Sequence, residues 1–522
     1  MVSKLRVVII KPSKYGLDGY VERFRWGFMP NSTLTYIRSM TPESVNGVPT
    51  EVHTVDEYVH TDLNYLSLLK KEPGYQTLLA LVGVQSHQFH RALDLAAYAL
   101  KNGCLAVIGG PHPMTCDTSM LQGHRVSFAL AEAELIWPTI LSDAVKGELQ
   151  PVYGENQRWQ QVLDAPVLIP PDQKEMRRYV TPMLGLYPAR GCPFVCNYCS
   201  VIKISGHAVR SQSIETTIAS LKAAKAAGVK MIMFTSDNFN KYDKAEELLT
   251  AMIEERIDLK FFVQCDTQIS KQEHLVELLS RARCFQIFVG IESFNRDTLL
   301  AARKSQNRPE LYQDIVKLLR KYAISSHFST IIGFPNDTAD DVQHHINVLC
   351  ELGPAWATFN ILCPIPGTEQ YGDFLSRGII TEKNLDRFDA TCLTWTHPHF
   401  SRDEIRALLY GCYKKFYSFK HAAANTRRFL NFKRRGALTK AFLGIGNSAF
   451  NRFSAWKEIH PFNGGIKRLT LDCVDDFLHL RKELFGFEHA PLPQMLQLPE
   501  ADMALNRSAN LTMRKNLAQA TS

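Results

Sequence analysis

Strand-like and helix-like segments alternate along this chain in two series, divided by one proline-broken stretch. The first series opens with LRVVIIK at 5–11 and continues with TLLALVGV at 77–84. Continuous aliphatic runs of this length predict strands covered on both faces, as in a parallel sheet. A helical pattern over 89–101 then passes through Asn102-Gly103 into CLAVIGG at 104–110, a strand–helix–strand unit with a glycine stop. Segments 126–130 and 135–144 continue the alternation. Residues 1–150 are therefore expected to form a doubly wound α/β domain whose ligand site lies at the carboxyl ends of the strands, in the loops after Val84 and Ile108.

Residues 151–180 contain Pro151, Pro166, Pro170 and Pro171 and read as a linker. The second series covers 181–395, with strands expected at 184–189, 231–236, 259–265, 285–291, 325–334 and 357–364. Helical patterns such as 214–228 and 308–323 lie between them. Six such units suggest a partial (β/α)6 barrel, open on one side, instead of a complete eightfold one. Beyond about Trp395 strand signals cease, so 396–522 is expected to be a helical carboxyl-terminal domain, frayed from about Pro499.

A chain of 522 residues, 45% apolar and 21% charged, has enough apolar material for several cores. Lys and Arg total 60 against 52 Asp and Glu, a balance of +8 that reads as a mild excess spread over a long sequence. It does not resemble a nucleic-acid-binding signature, and no nucleic acid partner is expected. The apolar run Val7 to Ile10 is too short for a signal-peptide core, no stretch is long enough to span a bilayer, and the twelve cysteines suit a reducing cytoplasm.

Three of those cysteines are clustered. Arg190-Gly191-Cys192 begins a CxxxCxxC string, Cys192, Cys196 and Cys199, directly after the first strand of the second domain. Three thiolates so spaced can hold one face of a cubane and leave one iron without a protein ligand. A structural zinc site is the alternative and would need a fourth ligand such as His207 or a distant Cys.

With Tyr198 just before the third cysteine, this string resembles the radical S-adenosylmethionine (SAM) enzymes. The resemblance implies a four-iron, four-sulfur cluster on Cys192, Cys196 and Cys199, SAM on the open iron, and release of a 5′-deoxyadenosyl radical on reduction. FTSDNF (234–239) looks like the segment beside the SAM amino group, with Asp237-Asn238 where the family often has two Asp. GIES (290–293) looks like the segment where Glu292 and Ser293 face the SAM ribose and carboxylate. IIGFP (331–335) and CPIPGT (363–368) resemble the strand ends near adenine and substrate.

The amino-terminal domain resembles the Rossmann-like cobalamin-binding domain that many such enzymes carry, through VGVQSHQFHRA (82–92), IGGPHPM (108–114) and ALAEAEL (129–135). The implied contacts are Gln85, Ser86, Gly109, Gly110, Pro111, His112 and Glu132, the glycines letting backbone amides approach the cofactor's nucleotide tail. The DxHxxG string that supplies a lower-axial histidine in corrinoid proteins is absent. His87 remains a ligand candidate, and His112 fits a structural hydrogen bond as well as cofactor contact. A sheet that binds nothing is the competing reading of this domain.

The layout resembles the hopanoid and phosphinate methylases and the anaerobic porphyrin-ring cyclases. It implies a methyltransferase that uses methylcobalamin on an unactivated carbon or phosphorus centre of a small molecule or lipid. Oxidative cyclisation or rearrangement without methyl transfer is the second reading, and a nucleic-acid-modifying or corrinoid-carrying protein the third. A flavodoxin or ferredoxin would supply the electron. Residues 426–446 interleave Arg and Lys with Phe and Leu, which suits a solvated helix with one core face, a peripheral membrane contact or a clamp on an anionic or lipid substrate. His397 and His399 read as a turn, and Cys265, Cys284, Cys350, Cys363, Cys392, Cys412 and Cys473 show no ligand spacing. No individual catalytic residue is identified by these patterns.

Overall fold

The computed structural model describes residues 3–430, 437–461, 464–471 and 476–521, and the side chains of all of these except 428–429, 437–443 and 512–521. Strand β1 (Lys4–Lys11) is followed by β2 (Arg23–Gly27), β3 (Ser44–Val45), β4 (Val48–Asp56), β5 (Tyr75–Leu81), β6 (Leu105–Gly109), β7 (Ser127–Ala129) and β8 (Val152–Tyr153). All but β2 join one sheet in the order β3-β4-β1-β5-β6-β7-β8. Pairing is parallel except for the β3–β4 hairpin, whose turn Asn46-Gly47 has both residues at positive φ. The chain leaves β1 to one side for β4 and returns to its other side for β5, so the sheet is doubly wound as expected.

Alternation along β1 sets the two faces. Leu5, Val7 and Ile9 pack with Leu34, Ile37, Ile136 and Trp137 of helices Ser32–Met40 and Ala133–Lys146. Val8 and Ile10 pack with the helix Phe89–Lys101 and with Tyr371, Phe388 and Leu480 from later in the chain. Strand β4 was not among the expected strands: VPTEVHTVD carries polar residues through most of its length and is only half-buried, so it lacks an apolar run.

The second sheet contains β9 (Met183–Leu186), β12 (Met231–Phe234), β13 (Lys260–Cys265), β14 (Cys284–Glu292), β15 (Ser325–Ile332) and β16 (Trp356–Ile361), all parallel and in sequential order. A short pair, β10 (Ala189–Arg190) with β11 (Arg210–Ser211), closes the segment that follows β9. Since β9 and β16 are the two edges and do not pair with each other, the barrel is partial. Its core is filled by Leu184, Ile232, Phe261, Ile287 and Phe328, which the flanking helices cover.

The carboxyl-terminal region departs from expectation in two places. Strand β17 (Gly465–Leu469) pairs antiparallel with β2, so the region is not wholly helical. The helix Glu500–Thr521 is docked at its start: Asp502, 1% exposed, accepts from the Arg158 amide at 2.9 Å, and Asn506 Oδ1 accepts from the His207 amide at 2.9 Å. The linker is also packed. Trp159 is buried against Gly206 and donates to the Ile204 carbonyl at 2.7 Å. No helix among the described residues is long and apolar enough to cross a membrane.

Candidate active site between the two sheets

Three loops form the carboxyl edge of the first sheet. The Val84 amide donates to the Gly109 carbonyl at 3.0 Å, and the His112 amide donates to the Val84 carbonyl at 2.9 Å, lacing the loops after β5 and β6 together. Gly110 has φ +133°, and a Cβ there would collide with the backbone of Gly83 and Val84. Glycine is needed at 110 by this loop contact, independently of any ligand. Lys11, at the end of β1, binds the Gly83 carbonyl and Gln88 Oε1. Burial lowers its ammonium pKa to about 7.

His112 is buried, 3.0 Å from Ser86 Oγ through Nδ1, with its ring centroid 4.0 Å from that of Phe89. Burial holds it neutral, with a pKa lowered to about 3. Ser86 and His112 therefore brace one loop against the other. Gln85 is exposed, and its amide donates to Gln88 Oε1 at 3.1 Å. His87 is also neutralised by burial, to about 3, among Lys14, Lys11, Asp386 and Asp389.

A cavity of about 250 Å³ lies against these loops. Its lining is mostly apolar: Ala80, Gly83, Gly109, Ala129 and Ala131 form small positions at the strand ends, beside the larger Val107, Ile136 and Trp137. Gly110, Pro111 and Glu132 also line it; Gln85, Ser86, His87 and His112 do not. Tyr187, Arg190, Ser205 and Asp237 of the second domain complete the wall, so the cavity belongs to both domains. The small Ala and Gly positions leave room that larger side chains would fill, which suits a bulky ligand inserted from the sheet edge.

Glu132 is committed to ion pairing. It accepts from Arg210 at 2.7 and 2.9 Å, from Arg190 at 3.3 Å and from the Gln160 amide at 2.7 Å. These cations hold its carboxyl below the usual range despite burial. Arg190 also grips Glu134 through two nitrogens, at 2.7 and 3.1 Å.

The cysteine loop starts one residue after Arg190. Gly191 has φ +105°, where a Cβ would strike the Ala208 carbonyl oxygen. Its amide donates to Asp237 Oδ2 at 2.8 Å, so Asp237 braces the loop while lining the cavity. Further along, the Cys192 amide bonds the Gly206 carbonyl at 3.1 Å, the Asn197 amide the Ala302 carbonyl at 3.2 Å, and the Asn197 carbonyl accepts from the Gln370 amide at 2.9 Å. Burial and mutual proximity of the thiols push Cys192 well up and Cys199 to about 12. Thiols so placed as Cys192 and Cys199 take up negative charge only with a cationic occupant beside them, which fits an iron cluster. Among the described residues no three His, Cys, Asp or Glu side chains converge as ligands of one ion. A cubane does not require that, because it spreads its thiolates over different irons, whereas the zinc reading with His207 does.

Glu292 ends β14 at φ +61°, where the β14–β15 register shifts, and its Oε1 lies 2.7 Å from Lys304 Nζ. Lys304 stands 5.9 Å from the Tyr198 ring centroid, and the buried Tyr198 hydroxyl has no hydrogen-bond partner. Tyr198, Glu292 and Lys304 thus form one polar group beside the cysteines, with an orphaned hydroxyl ready for a ligand atom. Ser293 is separate from it, its Oγ accepting from the Asn295 amide at 3.0 Å. Asn238 is tied into a network with Asp266 and Asn240. His397 and His399 make the expected turn, the His399 amide donating to His397 Nδ1 at 3.0 Å.

Sequence reading missed Arg190, Arg210, Glu134 and Lys304. Arg190 carried a signal in its position directly before Gly191-Cys192, and Glu134 in its place within ALAEAEL (129–135); Arg210 and Lys304 are long-range partners.

Residues 186–349 match the model of the radical SAM superfamily. With the cysteine loop and partial barrel just described, this part of the chain is a radical SAM domain, which implies a four-iron, four-sulfur cluster and SAM. The chain is 24% identical to the bacteriochlorophyllide d C-8(2)-methyltransferase of Chlorobaculum tepidum over 75% of this chain and 86% of that protein. It is 24% identical to the C-12(1)-methyltransferase of the same organism, over 56% of this chain and 64% of that protein. Among solved structures it shares the fold of TsrM from Kitasatospora setae, a radical SAM methyltransferase with cobalamin and cluster bound. The TM-score is 0.59 at 14% identity, covering 93% of this chain and 99% of that one.

Proposed function

We propose that this enzyme is a cobalamin-dependent radical SAM methyltransferase acting on an unactivated carbon or phosphorus centre of a small molecule or lipid. The observation that carries the reading is the cavity shared by Gly109, Gly110 and Glu132 of the first domain with Arg190 and Asp237 beside the cysteine loop. It offers a corrinoid and a SAM-bound cluster adjoining positions. The methyltransferases among its relatives and the cobalamin named for TsrM support the same assignment.

When bound, the cluster with SAM supplies a carbon radical and the corrinoid supplies a methyl group. The chain's own residues do the positioning. Cys192, Cys196 and Cys199 hold the cluster, and Asp237 and Gly191 fix the loop that carries it. Tyr198, Glu292 and Lys304 present polar atoms to SAM. The small Ala and Gly positions admit the corrinoid's tail, while Glu132 supports the wall through Arg190 and Arg210 instead of contacting the cofactor alone. A flavodoxin or ferredoxin provides the electron.

The test is anaerobic reconstitution with iron, sulfide and hydroxocobalamin, followed by turnover of candidate substrates with methyl-deuterated SAM. Deuterium in product, with 5′-deoxyadenosine and S-adenosylhomocysteine formed together, is the expected result. Product formed with 5′-deoxyadenosine but without label would replace the methylase by a cyclase or rearrangement enzyme.

A further inference from the structure

The positive charge of this chain is concentrated, not spread. Residues 414–459 contain eleven Lys or Arg and one Asp or Glu, a balance of +10, which leaves 49 basic and 51 acidic residues everywhere else. The single acidic residue, Glu458, is itself paired with Arg406 at 3.2 Å.

Where their side chains are described, the helices of this region turn several polar residues inward and several large apolar ones outward. Helix Ala437–Trp456 buries Ser448, Asn451 and Ser454, at 3, 4 and 7% exposure, and presents Ile445, Phe453 and Trp456 outward at 50, 58 and 65%. Ile445, Arg452, Phe453 and Trp456 fall within about a quarter turn of one another at 100° per residue. Phe419, at the start of helix Phe419–Leu430, is 81% exposed beneath the Arg452 guanidinium, 5.1 Å from its centre. Lys457 Nζ stands 4.8 Å from the Trp456 ring centroid. A helix in water normally turns its large apolar residues inward. The residues 426–446 that the sequence singled out lie partly outside the described residues, and of them the outward face uses only Ile445, which is described.

We propose that Phe419, Ile445, Phe453, Trp456 and the cations around them form a peripheral docking surface for a bilayer rich in anionic lipid. Aromatic and aliphatic side chains enter the headgroup boundary, while Lys420, Arg452 and Lys457 stay among the phosphates. An exposed isoleucine, with the aromatics partly covered by cations, favours a lipid surface over stacked nucleotide bases. With no spanning helix described, attachment is interfacial and reversible.

The test is co-sedimentation of the purified full-length protein with vesicles of phosphatidylcholine alone or mixed about equally with phosphatidylglycerol. Wild type should bind the mixed vesicles about tenfold better than the neutral ones, and lose binding as salt is raised. Phe453→Ser combined with Trp456→Ser, and separately Lys420→Glu combined with Lys457→Glu, should each weaken binding about tenfold or more with unchanged thermal melting. Retention of wild-type binding by both variants would overturn the proposal. So would a concentration-dependent dimer that both variants abolish, or tRNA binding lost in the same variants while vesicles are ignored. Cofactor loading is read in the same preparations and stays normal in every variant, so failure here leaves the catalytic assignment untouched.

Discussion

Arg190 Nη2 lies 2.7 Å from Glu134 Oε1, which ties the residue leading into the cluster loop to the amino-terminal domain. The same guanidinium reaches Glu132, itself held by Arg210. One ion-pair group thus joins the floor of the cavity, the linker at Gln160 and the loop that carries the cysteines. Removing the cation leaves two mostly buried carboxylates short of a partner. Arg190→Ala is expected to cost about 3 kcal/mol in chemical denaturation and to reduce cluster content after reconstitution. Arg190→Lys keeps the charge but cannot fork between two carboxylates, so it should fall between. Wild-type stability in Arg190→Ala would remove the coupling role.

Cys192→Ala, Cys196→Ala and Cys199→Ala should each abolish the four-iron absorption and SAM cleavage, because two thiolates hold a cubane poorly. Cys265→Ala and Cys412→Ala are controls: Cys265 is buried on β13 and Cys412 on helix Arg402–Phe416 in the same hydrophobic core, and their loss should leave iron content unchanged. Normal iron and cleavage in any of the first three would sink the cluster assignment.

The alternation of strands and helices was legible because the central strands of the first sheet are continuous aliphatic runs and the barrel strands are short segments rich in aromatic and β-branched residues set between helical patterns, so all six barrel strands fall close to their expected spans. Polar β4 and the late strand β17 were not, since GIKRL becomes a strand only by pairing with Arg23–Gly27. At the site, the cysteines follow from local spacing. Lys304 beside Glu292 and Arg210 beside Glu132 arise from contacts between distant segments, and no local pattern announces them. Gly110 was legible as a glycine that must be one, but the reason lies in Gly83 and Val84. The charge balance of the whole chain concealed its concentration in 414–459, since a total carries no position.

Acid should unfold this protein in part through Glu57. It is fully buried between Arg91 and Arg23, at 2.6 and 3.1 Å, and these guanidiniums hold its pKa at about 2 against an ordinary 4.5. A depressed carboxyl pKa stabilises the fold above the ordinary value, and that contribution disappears as pH falls through the folded one. Between pH 4.5 and about 2 the loss should reach about 3 kcal/mol. Glu57→Gln should be less stable at neutral pH, because two buried guanidiniums lose their counterion, and should show a shallower decline over that window in denaturation series. An unchanged slope would remove Glu57 as a source of acid sensitivity.

The cavity gives the sharpest test of corrinoid binding, and Gly110 is the wrong residue to probe it. Any side chain there displaces the Gly83–Val84 backbone before it reaches a ligand, so lost binding would follow from a disordered loop. Ala133 is better placed. It lines the cavity at the first residue of helix Ala133–Lys146 and is only partly buried, at the edge of the core, so a larger side chain has the cavity beside it to occupy. Ala133→Trp should lower bound corrinoid about tenfold by absorbance titration while the cluster loads normally, because the cysteine loop rests on Asp237 and Gly206. Full corrinoid binding in a correctly folded Ala133→Trp would move the cofactor out of this cavity. No binding by carefully reconstituted wild type would leave the first domain without a corrinoid and exclude methyl transfer from one.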